Sequence, residues 1–342
     1  MSKFFAPAIF VPRTRRAGPF LVRALRLEFA GGRGFACCEL EQCDRLGRRG
    51  PIACQTSRDG RRRPATPVKR MTQNRIDANF QAIQARGGKA LVPYVTAGYP
   101  DLATTGLLLR RLDALGIPLI EIGIPFSDSI ADGPVIQGSF HRVLAGGFHL
   151  ADLFATVRAA RPGLSAALVA MVSMSLVRRP GVTEFAKRCA ENGFDGLIVP
   201  DVPLEESSEV LGAAHEAGLR CILLVAPTTP AARREQIARA SEGFIYQVAV
   251  RGITGERDEL PSDIAEFVRA LRAVSRLPVC VGFGIGTPRQ VRAVCDVADG
   301  AIVGSAVVRR ISEGVDAGHS SDAIAESVTR FVHELWKEVA VA

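Results

Sequence analysis

No run of about 18 apolar residues occurs anywhere in the chain, so no membrane-spanning helix is predicted. The cysteines include no C-x-x-C pair and have no histidine nearby, which argues against a zinc site. Four of the eight, Cys37, Cys38, Cys43 and Cys54, lie near the N-terminus, while Cys189, Cys221, Cys280 and Cys295 fall singly in apolar or helical contexts. Free thiols in a reducing compartment, the cytosol, are therefore expected. A basic footprint for nucleic acid is also missing from most of the chain. The formal net charge of +8 arises in residues 1–70, which hold 16 Lys and Arg against 5 Asp and Glu; the other 272 residues hold 27 against 30. What remains is ordinary for a globular protein: 47% hydrophobic and 23% charged residues.

The basic head has clusters such as Arg13-Thr14-Arg15-Arg16 and Arg61-Arg62-Arg63 and no sustained helix or strand period, so residues 1–70 read as a disordered extension. A transit peptide would be richer in serine than Ser2 and Ser57 make it. Met71 opens an amphipathic helix followed by a strand and is a candidate translation start, which would leave the head untranslated.

From Lys89 onward short apolar strands alternate with helix-length amphipathic segments. Strands are expected at residues 90–96, 119–124, 167–172, 196–199, 220–225, 244–248, 278–281 and 300–303. Helices are expected at residues 101–115, 150–160, 181–192, 205–217, 230–242, 262–274, 288–296 and 322–341. Eight such units predict an α/β fold, a single closed (β/α)8 TIM barrel over residues 71–342.

The second strand carries the least expected residue. In Leu119-Ile120-Glu121-Ile122-Gly123-Ile124, side chains alternate, so Glu121 shares a face with Leu119 and Gly123. Both faces are largely apolar, as in a parallel strand covered on each side. Burying a lone carboxylate there raises its pKa, and function is one reason to keep it; a buried, hydrogen-bonded structural acid is the other. The missing side chain at Gly123 would leave room for a ligand. Asp132 follows eleven residues on, on a loop rich in Pro, Ser, Asp and Gly that leaves the strand's C-terminal end. Two carboxylates there could divide acid and base work.

Barrel sites gather at C-terminal strand ends, often with a phosphate after strands seven and eight. Gly282-Phe283-Gly284-Ile285 follows the seventh strand and Gly304-Ser305-Ala306 the eighth, where bare backbone N–H groups and a helix N-terminus suit an anion. The first glycine pair alone would only be a tight turn, and Thr287 breaks a dinucleotide fingerprint. Arg251-Gly252-Ile253-Thr254-Gly255, after the sixth strand, is long enough to close over a ligand. Tyr94 and Tyr246, near strand ends, either flank a planar substrate or are half-buried core aromatics. Asp201, ending the fourth strand, is either catalytic or the cap of the next helix. His141, His149, His215, His319 and His333 fall in helices or loops away from the strand ends, so none is a base candidate.

Seven ordered motifs carry a resemblance: Val92-Pro93-Tyr94-Val95-Thr96-Ala97-Gly98, the block from Glu121 to Gln137, Pro200-Asp201-Val202-Pro203-Leu204-Glu205-Glu206, Ala226-Pro227-Thr228-Thr229, Gly252-Ile253-Thr254-Gly255, Gly282-Phe283-Gly284-Ile285 and Gly304-Ser305-Ala306. From Met71 to the C-terminus the chain resembles the tryptophan synthase α subunit family. The resemblance implies a metal-free, cofactor-free lyase that splits indole-3-glycerol phosphate into indole and glyceraldehyde 3-phosphate. It further implies proton transfer by Glu121 and a hold on the indole N–H by Asp132. Gly255, Gly284, Gly304 and Ser305 would bind the phosphate. Tyr94, Met171, Tyr246 and Phe283 would line the indole pocket, with Thr254 on the closing loop. The implied partner is a β subunit carrying pyridoxal phosphate, in an α2β2 assembly, with no nucleic acid or membrane involved. Ser129 departs from the family's usual proline, and Ser173-Met174-Ser175 from its usual tyrosine- and asparagine-containing stretch. Those departures keep two alternatives open: a stand-alone lyase releasing free indole, and a weakly active subunit that mainly activates its partner.

Overall fold

A computed structural model describes residues 73–129, 132–248, 263–282 and 284–340. The expectations for residues 1–70, including four of the cysteines, lie outside the described residues, as do those for Thr254, Gly255 and Phe283.

Nine strand segments alternate with helices: β1 (Ala90–Thr96), β2 (Leu119–Gly123), β3 (Ala167–Met171), β4 (Gly196–Ile198), β5 (Arg220–Ile222), β6 (Leu224–Val225), β7 (Ile245–Val248), β8 (Val279–Gly282) and β9 (Gly300–Val303). All described pairings are parallel, in the order β5-β4-β3-β2-β1-β9-β8-β7-β6. The two outermost segments are successive pieces of one strand, separated by Leu223 alone, so the sheet closes on itself as a barrel.

The fifth strand was expected to run unbroken over residues 220–225. It is split because the ladder changes partner at Leu223. The Leu223 N–H donates to the Ser241 hydroxyl at 3.1 Å, while its carbonyl accepts from the Tyr246 N–H at 3.1 Å. Pairing with β4 stops there and pairing with β7 begins.

Helices α1 (Arg75–Ala85), α2 (Leu102–Ala114), α3 (Pro134–Ala145), α4 (Leu150–Ala160), α5 (Met174–Val177), α6 (Val182–Glu191), α7 (Ser208–Glu216), α8 (Ala231–Ala240), α9 (Ile264–Arg272), α10 (Pro288–Cys295), α11 (Ser305–Asp316) and α12 (Ser321–Ala340) complete the chain order. The helix expected over residues 205–217 instead begins as a 3-10 turn at Leu204–Glu206 and resumes as α7 after Ser207. No single described helix is long and apolar enough to cross a membrane.

Strand alternation sorts the core into two layers. Ile120, Ile122 and Ile124 face outward among the helices, as do Leu91, Val95 and Leu168. Ala90, Val92, Leu119, Val169, Ile198, Ile222, Tyr246 and Ile302 face the interior. Helix α1 closes the N-terminal end of that interior with Ile76, Phe80 and Ile83. Its cap, Asn74, accepts from the Ile76 N–H and donates to the carbonyls of Asp195 and Gly218 at 2.8 and 3.0 Å, pinning the helix to the barrel rim. Gly196 lets it seat: a Cβ there would stand 2.7 Å from Ile76 Cδ1. With one end closed by α1, a ligand has the C-terminal end left to enter.

Candidate active site

Glu121 sits on β2 in the interior layer, opposite Tyr94 of β1 and Val169 of β3. It is 1% exposed, and its Oε2 has no hydrogen-bond partner. The reading of Glu121 as a hydrogen-bonded structural acid therefore fails for that oxygen. Burial first, and the nearby Asp132 carboxylate second, push its pKa up to about 8. Asp132 is half-buried on the β2–α3 loop, and burial lifts it to about 6. At neutral pH one group is mostly protonated and the other mostly ionised, a division suited to proton traffic.

The space beside Gly123 is not left for a ligand, as the sequence suggested. The Tyr94 ring fills it, and a Cβ on Gly123 would lie 1.8 Å from the phenol oxygen. Tyr246 uses Gly282 in the same way, with its oxygen 2.4 Å from where a Cβ would be. Each tyrosine thus leans over a glycine of the neighbouring strand. Both are buried, and burial is the main cause holding both phenols protonated well above their ordinary value.

A cleft of about 470 Å3, open to solvent, joins these groups at the C-terminal end of the barrel. Of the expected site residues it brings together Tyr94, Glu121, Asp132, Met171, Tyr246, Gly284, Gly304 and Ser305. It adds Ile136, Ile285 and Ile302, which sequence reasoning missed. Alternation from Gly300 and Gly304 signals the inward face of Ile302, and Ile285 lay inside a quoted glycine motif. Ile136 had no signal, because α3 itself was not foreseen. Among the described residues no histidine lines the cleft.

The cleft has a polar rim where Gly304 precedes the first residue of α11, so its backbone N–H groups and helix dipole present a positive end. Gly284 lies beside it with φ +80°, the left-handed region that favours glycine.

Asp201 is a cap, but of a different helix than expected. Its carboxylate accepts from the Ser173 hydroxyl at 2.7 Å and from the Met174 N–H at 3.0 and 3.1 Å, capping α5 after β3 instead of the helix that follows β4. Among the described residues no group of three or more His, Cys, Asp or Glu side chains converges to hold a metal ion. Cys189, Cys221, Cys280 and Cys295 are buried free thiols.

A family model described as tryptophan synthase alpha chain matches residues 80–339. The chain belongs to the tryptophan synthase alpha chain family. It is 43% identical over 262 residues to the tryptophan synthase alpha chain of Carboxydothermus hydrogenoformans, covering 77% of this chain and 98% of that one. To the alpha chain of Synechocystis sp. it is 45% identical over 242 residues, covering 70% and 92%. Among solved structures, tryptophan synthase of Mycobacterium tuberculosis matches with a TM-score of 0.71 at 33% identity, over 78% of this chain and 98% of that one. The alpha chain from Legionella pneumophila matches with the same TM-score and identity, over 79% and 98%. The (β/α)8 barrel is thus the fold of tryptophan synthase alpha chains, and the lyase family is fixed.

Proposed function

We propose that the barrel of residues 71–342 cleaves indole-3-glycerol phosphate to indole and glyceraldehyde 3-phosphate, as the alpha subunit of a tryptophan synthase. The family fixes the role in tryptophan biosynthesis; the reaction and its residues are the proposal. Its chief support is Glu121, a buried carboxylate with an unpartnered oxygen in an apolar cleft whose far rim is a helix N-terminus.

In the cleavage, indole C3 gains a proton and the ring becomes an indolenine. The C3–C1′ bond then breaks, its electron pair returns to the ring, and the C1′ hydroxyl loses its proton to become the aldehyde. One proton is taken up and one released, so a single carboxyl group near both atoms serves both transfers. Glu121 is that group. Asp132, mostly ionised at pH 7, accepts a hydrogen bond from the indole N–H and offsets the positive charge that builds on the ring. Tyr94, Tyr246 and Met171 enclose the ring, and the family resemblance adds Phe283. The backbone at Gly284, Gly304 and Ser305 holds the phosphate, and the family resemblance assigns Gly255 to the same group and Thr254 to the substrate site. The chemistry asks for no metal or organic cofactor on this chain. Pyridoxal phosphate belongs to the beta partner, which takes the indole in an α2β2 assembly. Buried free thiols support a reducing cytoplasm as its setting.

Glu121→Gln tests this directly. The amide keeps the shape but cannot trade protons, so indole release should fall by roughly 10²–10⁴-fold with phosphate binding retained. Near-normal indole release by a folded Glu121→Gln protein would end the assignment.

A further inference from the structure

Asp132 has to be held over the cleft by something other than its own carboxylate contacts. It stands on a loop, two residues before the start of α3. Three hydrogen bonds fix its backbone neighbourhood. The Asp132 N–H donates to the Ser129 carbonyl at 3.0 Å, and the Gln137 side chain donates from Nε2 to the Asp132 carbonyl at 2.7 Å and to the Ser129 carbonyl at 2.9 Å. Both N–H bonds of the Gln137 amide are therefore spent on the carbonyls of Ser129 and Asp132. Gln137 is itself anchored, its own N–H donating to the Gly133 carbonyl at 3.0 Å within the first turn of α3. Ser129 is buried at 4% exposure, and its carbonyl and that of Asp132 are both held by the Gln137 amide of α3.

We infer that Gln137 is a positioning residue for the lyase reaction: its amide ties the Ser129 and Asp132 carbonyls to α3 and so fixes the Asp132 carboxylate against the substrate ring. The inference rests on the reaction proposed above. Gln137 touches no reacting atom and does not line the cleft. A glutamine is suited to the task because only a primary amide offers two N–H donors in one plane at this reach; a carboxylate offers none at neutral pH. Loss of the clamp removes two of the three described hydrogen bonds at Ser129 and Asp132, and a displacement of about 1 Å at a positioned group is enough to cost about 10²-fold in rate.

Two variants test it, Gln137→Met, which keeps the length of the side chain, and Gln137→Glu, which keeps the shape and removes the donors. Each is first shown to be folded by circular dichroism. The expected result is a fall in kcat of about tenfold to hundredfold with KM for indole-3-glycerol phosphate within about twofold, because the phosphate is held across the mouth. In an Asp132→Asn background the Gln137→Met change should lower kcat by less than about twofold, since the group it positions is already gone. Carbon-13 titration of the Asp132 carboxyl supplies a readout that needs no substrate. In the parent that carboxyl titrates at about 6, and in Gln137→Met it should move down toward the ordinary carboxylate range as the side chain swings into water; Gln137→Glu adds a like charge beside it and is read by kcat alone. Unchanged kcat, full additivity with Asp132→Asn, or an unmoved Asp132 titration would each overturn the inference. If the parent protein releases no indole, the proposed reaction fails, and the titration alone still decides whether Gln137 holds Asp132.

Discussion

At the scale of single residues, the interior of this barrel keeps a group that its fold would be more stable without. Four titratable groups face one another near the cleft: Glu121, Asp132, Tyr94 and Tyr246, with the Cys280 thiol close to Tyr246. None is a cation, and burial first and the Asp132 charge second raise the Glu121 pKa to about 8. In the unfolded chain it would titrate in the ordinary glutamate range, so between that range and pH 8 the folded state binds the extra proton. The contribution is fully present below the unfolded value and is lost as pH rises through 8, by up to about 1.4 kcal/mol for each pH unit between them. Glu121→Gln removes that dependence, because an amide does not ionise. Urea unfolding at pH 5 and pH 9 should therefore show the variant gaining stability relative to the parent at the higher pH, with little difference at the lower. An equal offset at both values would mean that the Glu121 carboxylate is not desolvated. The same burial that weakens the fold at high pH keeps the proton available for indole C3.

At the scale of elements, the placement of α1 decides which end of the barrel is the site. Phe80 is 2% exposed among interior residues of the strands, with its ring 5.7 Å from that of Phe244. Truncating it opens a cavity under the whole barrel, and Phe80→Ala should destabilise the protein by about 3–5 kcal/mol. The cleft lies at the opposite end, so the KM of whatever protein remains folded should be near that of the parent; thermal unfolding and steady-state assays check the two halves. Strand periodicity made the barrel legible before any coordinates: the first and eighth strands agree to the residue, and Glu121 faces inward as alternation requires. What could not be read was set by tertiary contacts. Helix α3 was hidden because Pro134 and the Gly133 before it look like loop, yet proline at the first helical position is compatible with a helix start. Asp201 looked like a local cap, but its partners come from the loop after β3, 27 residues back. Gly123 looked like an opening because the phenol that fills it belongs to another strand.

At the scale of the whole molecule, the two stretches expected to depart from the usual family pattern, Ser129 and Ser173-Met174-Ser175, stand on the loop after β2 and at the start of α5 after β3. Neither is loose. The Ser129 carbonyl is bound by Gln137 and Asp132, and Ser173 and Met174 by Asp201, so both loops are tied into the mouth of the barrel. The loop after β2 also carries Asp132, so a subunit resting on it acts on a group in the cleft itself. A beta partner that favours the ordered loop would shift the chain toward its competent state, and the shift is limited by how much better it binds that state. Adding the beta subunit should then raise cleavage at saturating indole-3-glycerol phosphate by about fivefold or more, with the two chains co-eluting on gel filtration. Unchanged turnover and separate elution would instead mark a solitary lyase that releases free indole. High turnover only in the complex, with almost none from the isolated chain, would mark a subunit whose main role is to activate its partner. The serines argue for the first outcome, because a Ser173 hydroxyl already held by Asp201 and a Ser129 carbonyl already held by Gln137 give a partner a formed surface to dock on and leave less ordering entropy for binding to overcome.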